Sequence, residues 1–104
     1  MVDTGVSIWF HGHDHVYVAE QLDGVIYQEV PQPSLARYDS VAQAADYGYE
    51  GTVGVNVFAS SGHLRVVVSS DQMRVDYVRS VPAADETATR RNGAVLTSYT
   101  VRPR

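Results

Sequence analysis

The stretch Val6-Ser7-Ile8-Trp9-Phe10-His11-Gly12-His13-Asp14-His15-Val16-Tyr17-Val18 decides how the rest of the chain is read. A nearly continuous apolar run, Val6 to Phe10, breaks abruptly into polar residues and then resumes at Val16. Apolar runs this short read as buried strands, because helices need ten or more residues. His11 to His15 is therefore a loop at a strand end, and it is crowded with imidazoles.

Working outward, Asp23-Gly24 lies between two apolar stretches and predicts a tight hairpin, since both residues tolerate positive φ. Val25 to Val30 is the return strand, stopped by Pro31 and Pro33, which cannot donate to a sheet ladder. Residues 34–51 are the least strand-like. Ser40 with Gln43 resembles a capping box, Ala42, Ala44 and Ala45 favour helix, and Gly48 is a natural stop, so one short helix is expected there. Beyond it the period is two. Val53, Val55 and Val57 alternate with Gly54, Asn56 and Phe58, and Ser60-Ser61-Gly62 reads as a turn. Leu64, Val66 and Val68, then Met73, Val75 and Tyr77, then Val95, Thr97, Tyr99 and Val101 mark further strands with one face on a core. Residues 82–93 are polar and irregular, a surface loop with Arg90-Arg91 as a solvated pair. The predicted fold is mainly β, about six or seven strands in mostly antiparallel hairpins with one short helix, residues 1–104 forming a single unit.

Composition narrows the partners. The formal charge is −4 with no basic stripe, which argues against nucleic acid or an acidic membrane surface. No apolar run approaches the roughly 20 residues of a membrane-spanning helix. The start, Met1-Val2-Asp3-Thr4-Gly5, lacks the basic-then-apolar pattern of a signal peptide. Without Cys, any metal must be held by His and Asp/Glu, and the sequence is compatible with any compartment.

Gly12-His13-Asp14-His15 is the segment that carries chemistry. Two imidazoles one residue apart can each offer a neutral nitrogen to a divalent cation, sharing a face on a strand or diverging on a turn. Gly12 is expected to let the backbone turn sharply at the strand end. Asp14 has open roles as ligand, as loop-holding acceptor, or as a partner orienting a neighbouring His. His11 reads as a strand-end residue bonded locally, and His63 as structural. Tyr17 is read either as lining a substrate cleft or as a packed aromatic. Tyr38, Tyr47 and Tyr49 read as covering a core edge, with a lid as the sharper option.

The segment from Ile8 to Tyr17 resembles the calcineurin-like metallophosphoesterases and their purple-acid-phosphatase-like relatives, in which an apolar strand runs into G-H-x-H with an aromatic shortly after. Ser61 to Val68 and Val75 to Arg79 are similar to the strand-turn-strand close of such domains. The resemblance implies the C-terminal part of an α/β four-layer αββα sandwich. It also implies a phosphoester substrate and two divalent metal ions (Fe, Mn or Zn), with His13 and His15 serving different ions and Tyr17 near the substrate. The family's D-x-H, G-D-x-x-D and G-N-H motifs do not occur in this sequence. The expectation is thus a limb of a site, inactive alone and without stably bound metal. A homo-oligomer or edge-paired dimer is expected when the chain is isolated. The rival expectations are a self-sufficient β-domain serving as a binding or structural module, and a fragment that borrows a partner chain's ligands.

Overall fold

A computed structural model describes residues 1–34, 55–58 and 61–104. The expected helix at 40–48 and Tyr38, Tyr47 and Tyr49 lie outside the described residues. The fold is mainly β. Among the described residues there are seven strands in two sheets, and two short 3-10 turns, Val2–Thr4 and Ala83–Asp85, are the helical elements.

The first sheet contains β1 (Ile8–His11), β2 (Tyr17–Leu22), β3 (Val25–Glu29) and β4 (Val55–Phe58), in the order β1-β3-β2-β4. The predicted hairpin joins β2 to β3, with Asp23 at φ 52 and Gly24 at φ 77 closing an antiparallel pair. Two consecutive positive φ values match the right-handed twist of the flanking strands. β3 then runs parallel to β1 on its other side, in the register Ile8↔Ile26 to His11↔Glu29. Consecutive strands β1 and β2 are thus separated by β3. Their connection, residues 12–16, must cross the C-terminal end of β3, a span of roughly 10 Å at ordinary strand spacing.

β1 corrects one expectation. The apolar run is an edge strand among those described, and Trp9 is 46% and Phe10 39% exposed. Successive strand residues point to opposite faces, so Trp9 shares a face with His11 while Phe10 shares the other with Ile8. A strand apolar on both faces suits a sheet covered on both sides.

The second sheet has the order β5-β6-β7, formed by Gly62–Val68, Met73–Arg79 and Val95–Val101, all antiparallel. Gly62 opens β5 and does not belong to a hairpin turn, because β4 and β5 lie in different sheets. A Cβ at Gly62 would meet the Tyr77 ring and stand 2.5 Å from the Val78 carbonyl oxygen. The glycine serves close approach between neighbouring strands.

The core between the sheets is aromatic. Tyr17, 1% exposed, stacks on Tyr77 with ring centroids 4.4 Å apart, and Phe58 meets both rings edge-on at 5.4 and 6.2 Å. Each such pair adds about 0.5–1.5 kcal/mol beyond area burial. Ala19, Leu64, Leu96 and Tyr99 complete the cluster. On the other face of the first sheet, Val16 and Val18 pack with Val57. The second sheet's other face centres on Asp76, almost fully enclosed on the middle strand. Arg65 donates to its Oδ2 from Nε and Nη2 at 3.0 and 2.8 Å, Ser98 to its Oδ1 at 2.6 Å, and Arg74 lies within 3.3 Å. The hydrogen bond from Ser98, then that from Arg65, holds the Asp76 carboxyl below the usual range.

Candidate functional site

Gly12 to Val16 forms the bridge over the end of β3, and the residue beneath it is Glu29. Glu29 is 2% exposed, in register with His11 on one side and with Val18 on the other. Both carboxylate oxygens are occupied. Oε2 is 2.5 Å from His11 Nδ1, and Oε1 accepts the Asp14 backbone N–H at 3.0 Å. His11 from β1 and the Asp14 backbone from the loop thus converge on one carboxylate. The expectation of local bonding for His11 fits this pair.

The loop backbone bends in an unexpected place. A Cβ at Gly12 would meet nothing nearer than the Val30 carbonyl at 3.9 Å, and Gly12 is not among the positive-φ glycines. Positive φ falls instead on His13 (151) and His15 (58). For residues with a Cβ this costs on the order of 1–3 kcal/mol each, and such strain persists where surrounding contacts over-determine the backbone. The clamp on Asp14 N–H stands between those two positions. Both histidines are exposed, at the mouth of a sheet end.

Tyr17, offered by sequence as a cleft residue, is enclosed between the sheets. Burial, then the neighbouring Tyr77, pushes its phenol up to about 12. It also borders a cleft of about 370 Å³ with Glu20, Ile26, Thr97 and Tyr99, lined from β2, β3 and β7. His63 sits on β5 with Nδ1 3.4 Å from Ser80 Oγ, consistent with a structural role.

Zinc sites use three or four protein donors. The loop offers two imidazoles, His13 and His15, and among the described residues no group of three or more His, Asp or Glu converges. Among the described residues, His13 and His15 are joined by no third ligand. The residue that sequence reasoning missed is Glu29. Its signal was an acid at the end of a return strand that opens Val25-Ile26-Tyr27, two residues before Pro31. Set against known proteins, the sequence matches no protein-family model and no curated protein.

Proposed function

We propose that this chain supplies the G-H-x-H limb of a two-metal phosphoesterase site, His13 and His15 each serving a different divalent ion of iron, manganese or zinc. The remaining ligands lie outside these 104 residues, and the isolated chain does not hydrolyse phosphoesters. Such a pair of ions supplies polarisation of the phosphoryl oxygen and a hydroxide for in-line attack. The observation that supports the reading is a histidine pair held exposed on a loop tied to a buried carboxylate. Loops at strand ends are where sheets present reactive groups, and fixed carboxylates commonly orient such segments.

The experiment is to express the chain joined to the coding sequence that precedes it in the gene. With manganese added, hydrolysis of p-nitrophenyl phosphate and of its bis-ester is measured. The expected result is metal-dependent turnover that His13→Ala or His15→Ala lowers by about 100-fold or more. Preceding sequence without D-x-H, G-D-x-x-D and G-N-H motifs, or turnover unchanged in both variants, overturns the proposal. One observation favours the second reading, a self-sufficient β-domain used for binding: the two sheets close on a shared aromatic core. That reading predicts no turnover in the extended protein.

A further inference from the structure

We infer that Glu29 is the positioning residue of the histidine loop, acting through Asp14, an inference that rests on the proposed role of His13 and His15. The face on which Glu29 lies also carries Val18, its in-register partner, and Val16 and Val57 pack there as well. An enclosed carboxylate on such a face is costly, and a valine would suit the sheet better. What the carboxylate gains is the Asp14 N–H from the bridge above it and close contact with His11 Nδ1 at the end of β1. β3 is an inner strand, paired on both sides, so Glu29 is a fixed point to which the bridge is tied. The tie falls between the two positions of positive φ, where the backbone needs it. Glu29 itself touches neither substrate nor metal in this scheme. It sets where His13 and His15 stand.

The test uses the full chain, with Glu29→Ala and Glu29→Gln compared against wild type by NMR. Amide hydrogen exchange is read at Asp14 and across the β2–β3 ladder, and the ring signals of His13 and His15 are followed as Mn²⁺ is added. In Glu29→Ala, exchange at Asp14 is expected to accelerate about tenfold or more while the ladder amides hold. Paramagnetic broadening of the two rings at a given Mn²⁺ concentration should fall. Glu29→Gln keeps an acceptor for the Asp14 N–H and is expected to retain most of its protection, a rescue that loss of general stability would not give. Should Glu29→Ala fail to fold, Glu29→Asp, too short to reach both partners, is expected to show the same faster Asp14 exchange. An Asp14 amide and ring signals indistinguishable from wild type in the variant overturn the inference. Wild-type ring signals indifferent to Mn²⁺ are what a limb without its other ligands gives, so the metal reading is then decided by turnover of the extended protein and the clamp by the Asp14 exchange alone.

Discussion

Tyr99 donates its hydroxyl hydrogen to Gln28 Oε1 at 2.7 Å, joining the two sheets through a single buried amide. Gln28 is wholly enclosed, and its Nε2 donates to the Val18 carbonyl at 3.0 Å and to its own neighbour's, Glu29, at 2.9 Å. The amide therefore links β7 to the strand end that carries the loop clamp. Tyr99→Phe deletes the donor and leaves Gln28 Oε1 buried without it. The expected loss is about 1–3 kcal/mol, read as a lower urea midpoint with an unchanged slope.

The same aromatic cluster sets an alkaline limit. Burial, then Tyr77, pushes the Tyr17 phenol up to about 12, and burial, then Tyr17, raises Tyr99 as well. An unfolded phenol ionises near 10. Above that pH the unfolded chain releases protons that the folded chain keeps, so ionisation favours unfolding. Stability from these groups is full below pH 10 and is lost as pH climbs toward 12 and beyond. A melting temperature that falls across this window, with late-titrating tyrosine absorbance near 295 nm, is the expected result. Tyr17→Phe should flatten the fall.

Asp76 gives the acid counterpart. Its carboxyl is held low by Ser98 first and Arg65 next, so the folded state binds its proton less readily than the unfolded. Its contribution is present above about pH 4, the unfolded value, and is lost as pH falls through the lower folded value. Asp76→Asn is expected to lower the melting temperature at pH 7 and to shrink the difference between pH 7 and pH 3. An unchanged acid slope would remove Asp76 as the acid-sensitive group.

Alternation made the strands legible, and Asp23-Gly24 made their first hairpin legible. Period two assigns residues to faces but not strands to neighbours. Nothing in Val6 to Val30 says that β3 inserts between β1 and β2, and without that insertion Glu29 has no reason to meet His11 or Asp14. The histidine pair itself could be read from its spacing, while its strained backbone could not. Gly12 looked like the bend because glycine tolerates one, yet the bend is borne by His13 and His15, beside the clamp. Gly62 likewise passed for a turn residue because its partner in close contact, Tyr77, lies in another strand.

That contact makes Gly62→Ala a sharp probe. The new methyl would press on the Val78 carbonyl oxygen, a backbone atom of the middle strand that cannot swing aside, and on the enclosed Tyr77 ring. Relief requires β5 to shift against β6, in the register that runs Gly62↔Arg79 to Val68↔Met73. A cost of about 1–3 kcal/mol is expected, with near-ultraviolet circular dichroism reporting the displaced tyrosines. A variant as stable as wild type would mean that β5 yields freely.

β5 is also open to pairing with a second copy of the chain. It is an edge strand of the second sheet, no described strand pairs with its outer side, and Val67 and Val68 are 47% and 73% exposed. An unpaired edge carrying apolar side chains is a template for another strand, and a lysine on such an edge opposes pairing. At micromolar concentration the isolated chain is expected to elute from size exclusion larger than its 11.4 kDa monomer. Val67→Lys should return it toward that mass without lowering the melting temperature, because an exposed edge position adds little to the core. Monomeric elution of the wild-type chain would show that this edge is covered or too weak to pair.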